Sequence, residues 1–136
     1  MVVLDASVTL AWILQEENLT YVNQIQDQVE MAGALVPAIW PLEVANGLVN
    51  AERRGRLQTG EVMRVMTFLF QYDITVEMEQ SRTLMLETIG LARRYRLSTY
   101  DASYLHLAIE RGLPLATIDQ NLHRAALEAG VPLFGM

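Results

Sequence analysis

The sequence predicts an α/β fold: a five-stranded parallel sheet sandwiched between helices, in a single domain over residues 1–136. Three observations carry this. Short β-type apolar runs alternate with longer helical ones, the pattern of parallel strands joined by crossover helices. Glycines follow the helical stretches, at Gly33, Gly55, Gly112 and Gly130, where a left-handed residue ends a helix at little cost. Acids stand where strands give way to helices, at Asp5 and Asp119, the edge at which open α/β sheets bind ligands.

In chain order, Val2–Leu4 reads as a strand, 7–14 as a short helix and 20–32 as a second helix stopped by Gly33. Leu35 and Val36 form the next strand. Pro41 then suits the opening turn of a helix ending near Gly55, because proline supplies a helical φ and lacks only an N–H that would go unused there. A helix over 59–72, a strand over 74–76 and a helix over 81–95 follow. The stretch RLSTYDASYLHLAIERGLPLATID, from Arg96 to Asp119, organises the rest. Its helix runs to about Gly112, with Tyr104, Leu105, Ala108 and Ile109 spaced from Asp101 so that the acid tops the apolar stripe. A strand over 115–118 leads to Asp119, a helix over 120–129 stops at Gly130, and 131–134 is expected to be the fifth strand.

Composition limits the chemistry. A chain of 136 residues buries roughly two thirds of its unfolded surface, enough for one core. With no cysteine, disulfides, thiolate zinc sites and thiol nucleophiles are excluded. The longest uncharged run, Met31 to Leu42, is too short to span a membrane and holds Pro37 and Pro41. The opening Met1-Val2-Val3-Leu4-Asp5 has no basic region of the secretory type, so a cytoplasmic location is expected. Ten arginines, no lysine and 16 acids give a net charge of −6, which tells against simple electrostatic binding of nucleic acid unless cations reverse the sign locally.

Asp5, Glu43, Asp101 and Asp119 have to be explained together. Each alone fits capping, since a first-turn carboxylate accepts from free N–H groups and suits the helix dipole; Ser98 with Asp101 resembles a capping box. Jointly they repel. Ser, Thr or Asn would cap without that repulsion, so four acids point to a compensating cation. An all-oxygen ligand set without cysteine or paired histidines favours Mg²⁺ or Mn²⁺ over zinc, and such ions promote phosphodiester hydrolysis.

Four motifs resemble those of PIN-domain ribonucleases of the VapC toxin type: VVLDASVTLAWIL, PLEVAN from Pro41 to Asn46, LSTYDASYLHLA and LATIDQNL. They occur in the family's order and cover essentially the whole chain. The resemblance implies a PIN-like fold and a Mg²⁺- or Mn²⁺-dependent endoribonuclease cutting RNA, the toxin of a toxin–antitoxin pair. It implies that Asp5 is the central metal ligand, that Asp101 and Asp119 ligate directly or through water, and that Glu43 binds a second ion or orients the attacking water. Ser7, Asn46 and Thr117 match positions that line the pocket in support of these acids. Many members carry a further acid two residues after the last aspartate; Asn121 stands there, which leaves occupancy of a second metal position open. The resemblance also implies a cognate antitoxin protein and a homodimer as partners.

The remaining features are plainer. His106 and His123 are isolated and read as surface or boundary residues, leaving no histidine base or serine triad. Arg53, Arg54 and Arg56, and Arg93, Arg94 and Arg96, stand at helix C-termini, where cations are favoured, or serve to grip phosphates. The helix over 59–72 is apolar nearly all round, either buried or shared between the core and a partner. Two other functions are compatible with parts of this pattern. One is a catalytically silent PIN-like module whose acid pocket binds a partner protein, distinguished by the absence of metal-dependent turnover. The other is a phosphoaspartate protein, whose site ordinarily uses a lysine that this chain lacks.

Overall fold

A computed structural model describes residues 1–15 and 19–135. In chain order the elements are β1 (Val2–Leu4), α1 (Ala6–Ile13), α2 (Leu19–Ala32), β2 (Ala34–Pro37), α3 (Trp40–Arg53), α4 (Thr59–Leu69), β3 (Ile74–Glu77), α5 (Ser81–Tyr95), α6 (Thr99–Arg111), β4 (Leu115–Ala116) and α7 (Gln120–Ala129). The strands form one sheet in the order β3-β2-β1-β4, with every pairing parallel. Successive side chains of a strand face opposite sides of the sheet, yet Val2, Val3 and Leu4 are all fully buried. Both faces of β1 are therefore covered, as expected of a parallel sheet between helices.

The described residues form four strands rather than the expected five. Residues 131–134 make only a bridge, Leu115 to Leu133, beside β4. Two bonds fix it: the Leu115 N–H donates to the Pro132 carbonyl and the Phe134 N–H to the Leu115 carbonyl. Pro132 has no N–H to extend a ladder, and Gly135 turns away at φ 82°. The strand expected over 115–118 is likewise shorter, because Thr117 and Ile118 leave the sheet to shape the site.

Helix α6 is the central helix. It packs on β1, β2 and β4 and against α5 and α7. All residues from Ala102 to Ala108 are buried, so its middle is enclosed on every side, whereas Ile109, expected on the apolar stripe, is 48% exposed. Helix α3 lies against α1 at Gly47, where a Cβ would come within 2.4 Å of the Leu10 side chain. Around α4, Leu69 is buried, while Met63, Phe68 and Phe70 are exposed. Among the described residues no helix is long and apolar enough to cross a membrane.

The strand order sets the position of the site. From β1 the chain steps one way to β2 and β3, then returns to place β4 on the other side of β1. The C-terminal ends of β1 and β4 thus flank the point where the winding reverses, and helices leaving them diverge to open a crevice. Asp5 follows β1 there, and Asp119 follows β4 after two residues.

Candidate active site

Asp5 is 4% exposed, and its Oδ2 accepts from the Ser7 hydroxyl at 2.6 Å and the Thr117 hydroxyl at 2.7 Å. Its main chain is also fixed. The Asp5 N–H donates to the Ala116 carbonyl at 3.0 Å, joining the two strand ends. Its carbonyl accepts from the Thr9 hydroxyl at 3.2 Å, and Trp40 Nε1 donates to that hydroxyl at 3.1 Å, linking Asp5 to the start of α3. Buried Thr and Trp polar groups of this kind need partners, and here they supply them to one another.

The other three acids come from separate helices. Glu43 lies in the first turn of α3, and the Tyr104 hydroxyl donates to its Oε1 at 2.7 Å. Asp101 lies in the first turn of α6, where Ser98 caps the helix by accepting from the Asp101 N–H at 3.1 Å. Asp119 caps α7, its Oδ2 accepting from the Leu122 N–H at 2.8 Å, and its own N–H donates to the Thr117 hydroxyl at 3.0 Å. Thr117 thereby holds Asp5 and Asp119 in one arrangement. One oxygen of Asp5, Glu43 and Asp119 is engaged by the fold, which leaves these carboxylates spare lone pairs for a ligand.

Asp5, Glu43, Asp101 and Asp119 line one cleft of about 350 Å³, with Ser7, Leu10, Asn46 and Asn50 in its wall. No three of the four acids have ligand atoms all within 4.8 Å of one another, so they ring the cleft rather than close on a point. Direct ligation by some and water-mediated contact by others fits that spread. Asn121, in the first turn of α7, is exposed.

The four acids disturb each other's ionisation. Burial pushes the Asp101 carboxyl up to about 6, with the charges of Asp5, Asp119 and Glu43 adding to it. Asp5 is raised chiefly by burial, opposed by its hydrogen bonds to Ser7 and Thr117, with the Asp119 charge raising it further. Glu43 is raised by burial, opposed by Tyr104 and reinforced by Asp5. Carboxylates held together above their ordinary range are relieved by a cation among them, and their all-oxygen donor set matches a hard divalent ion.

Every residue expected at the site from the sequence is therefore brought to this cleft or to the side chains lining it. Tyr104, which bonds Glu43, is not among the residues that the sequence singles out for the site. Its signal was available: a tyrosine in a buried helix face needs a partner for its hydroxyl, and it stands one turn after Asp101. His106 was expected at the surface or boundary and is instead 7% exposed, in contact with Glu79 and Glu110.

A parallel sheet wound in this order, with acids at the reversal point, defines a class of α/β domains whose ligand site lies at the strand ends, and residues 2–128 match the PIN domain model. The chain belongs to the PIN domain family. It is similar to Ribonuclease VapC3 of Pyrobaculum aerophilum, with 28% identity over 120 residues, 88% of this chain and 90% of the relative. Among solved structures it is similar to PAE2754 of the same organism, at a TM-score of 0.68 and 25% identity over 92% of this chain and 87% of that one. It also shares its fold with a toxin–antitoxin complex from Klebsiella pneumoniae, at a TM-score of 0.56 and 17% identity over 88% and 87% of the two chains.

Proposed function

We propose that the protein is a Mg²⁺- or Mn²⁺-dependent endoribonuclease and the toxin of a toxin–antitoxin pair. The observation that carries this reading is the ring of four carboxylates at the reversal point of the sheet, each of three raised by burial and by its neighbours. Kinship with the PIN family and with a VapC ribonuclease supports it.

In this reading Asp5, Asp101 and Asp119 would hold the ion, which would lower the pKa of water and offset charge on a phosphoryl oxygen. The protein's own residues do the rest. Ser7 and Thr117 fix the Asp5 carboxylate so that its geometry is set before substrate arrives. Tyr104 holds Glu43 at the rim, where it orients the attacking water or binds a second ion. Asn46 and Asn50 follow Glu43 along the same face of α3, and Arg53 and Arg54 continue that line, exposed, one turn beyond. A phosphate backbone laid along α3 would meet amide donors and then guanidinium groups, which suits a protein of net charge −6 that must still hold RNA.

A partner reading rests on the surface of α4. Exposed Phe68 borders a hollow of about 560 Å³ walled by Trp12, Ile13, Asn23, Gln26, Arg64 and Val65. Trp12 forms part of the wall, and its Nε1 is buried without an acceptor among the described residues. The toxin–antitoxin assembly of the Klebsiella relative supports an antitoxin in this role.

The test is cleavage of a total-RNA pool by purified, partner-free protein with Mg²⁺ or Mn²⁺. Discrete fragments that disappear with EDTA and with Asp5→Asn are the expected result. A folded, metal-binding protein that leaves every RNA intact would favour the silent binding module instead.

A further inference from the structure

Away from the acid-ringed cleft, three side chains with metal-ligating atoms converge on α6. His106 lies in the middle of the helix and is 7% exposed. Glu110 follows at i+4 on the same helix face, and Glu79 arrives from the segment between β3 and α5. His106 Nε2 is 2.9 Å from both carboxylate oxygens of Glu79 and 3.0 Å from Glu110 Oε2. The ligand atoms of the three residues all lie within 4.8 Å of one another, which holds for no other group among the described residues.

Protein hydrogen bonding meets only part of this crowding: Glu79 and Glu110 share a side-chain hydrogen bond, which lowers the Glu79 carboxyl and raises that of Glu110. Nε2 carries either one hydrogen or one lone pair, so even a hydrogen shared between the two Glu79 oxygens leaves Glu110 Oε2, 3.0 Å away, without a hydrogen from the ring. The surroundings add negative charge. Glu77 is beside the triad and pairs with Arg111, so one guanidinium faces three carboxylates. Burial of the imidazole shields it from water, which would otherwise fill the unmet bonds. A divalent cation among the three ligands satisfies all of them at once and removes the local charge excess. The donor set is one imidazole nitrogen with two carboxylates, which suits a borderline metal such as Zn²⁺ better than Mg²⁺, and three protein ligands leave a tetrahedral ion one open position.

We infer that Glu79, His106 and Glu110 form a second metal site, of the Zn²⁺ class, separate in place and in metal preference from the all-oxygen cleft. The ion ties the end of β3 to α6 across 27 residues of chain between Glu79 and His106. Glu79 and His106 also line an apolar cavity of about 360 Å³, together with Leu84, Met85, Tyr100 and Ser103.

The experiment uses the full chain stripped with a chelator and measures Zn²⁺ uptake by equilibrium dialysis, with Co²⁺ absorbance as the spectroscopic signature of nitrogen and oxygen ligation. Asp5→Asn with Asp101→Asn disables the acid cleft, and this variant is expected to keep one equivalent of Zn²⁺ and the visible Co²⁺ band. Glu110→Gln is expected to weaken uptake by more than the about 10–100-fold that follows loss of a residue merely supporting a ligand. His106→Gln should abolish it. Because His106 is buried and its replacement can disturb folding, the partly exposed Glu110→Gln variant, checked by circular dichroism, carries the test. No Zn²⁺ uptake by the cleft-disabled protein would overturn the inference and reduce the triad to an imidazolium ion pair, as would uptake unchanged by Glu110→Gln.

Discussion

At the residue scale, Asp5 concentrates the constraints of the site: two hydroxyls on one oxygen, a strand-end bond through its N–H and a threonine on its carbonyl. Tyr104 plays the corresponding part for Glu43, and Tyr104→Phe isolates it, since only the hydroxyl is removed from a fully buried ring. The variant should fold normally, and RNA cleavage should fall about 10–100-fold, as for other groups that orient a ligand; unchanged kcat/KM would show that Glu43 needs no positioning. Asp101 gives a pH prediction. Its folded value of about 6 lies above its ordinary 3.8, so the metal-free fold gains stability from the protonated acid. That gain is complete below the lower value and is lost as pH rises through the upper one, and the upward shifts of Asp5 and Glu43 act in the same sense. Urea midpoints of chelator-treated protein should therefore fall between about pH 4 and about pH 7, and Mn²⁺ should reverse the fall. A midpoint that rises over that interval would contradict the reading of the acid ring.

At the element scale, the N-termini of α6 and α7 serve folding and the site together. Asp119 closes the first turn of α7 through the Leu122 N–H while its charge faces the cleft acids. Two substitutions separate these duties. Asp119→Asn keeps a good cap and removes the charge, so cleavage should be lost with little change in Tm; Asp119→Ala should lose cleavage and also about 1 kcal/mol of stability. Equal stability of the two variants, measured by urea denaturation, would mean the cap contributes nothing. Helix endings show the same economy of local rules. Gly112 and Gly130 take the left-handed conformation after α6 and α7, as their positions in the sequence indicate. Arg96 ends α5 in the same conformation at φ 56° without being glycine, which the sequence gives no reason to expect.

At the scale of the whole molecule, two groups stand out among the exposed apolar side chains of the described residues. Met63, Phe68 and Phe70 lie along and just after α4, and Met78, Met85, Leu86 and Tyr100 lie around the start of α5 and α6. Patches of this kind on a small domain mark contacts with other chains. Purified protein is expected to sediment as a dimer at micromolar concentration, and a clean monomer across that range would remove the need for a homodimer. The net charge of −6 works in the opposite direction to aggregation, keeping such patches from joining indiscriminately.

What the sequence determined by itself follows from local physics. Apolar runs, Pro41 in the opening turn of α3 and glycine stops located the helices and the first three strands, and the local sequence placed Asp5, Glu43, Asp101 and Asp119 at helix N-termini, where each alone reads as a cap. Tertiary structure decided the rest, since each remaining feature depends on residues far away in the chain. Residues 131–134 are a bridge rather than a strand because, among the described residues, their strand-type pairing is confined to Leu115 and Pro132 lacks an N–H to extend it. Tyr104 acts on Glu43, 61 residues earlier, only once α6 is seated against the sheet. His106 is buried because α6 is enclosed on all sides, and its meeting with Glu79 depends on β3 ending beside that helix. Periodicity records which way a side chain faces on its own helix, but only packing decides what stands opposite it.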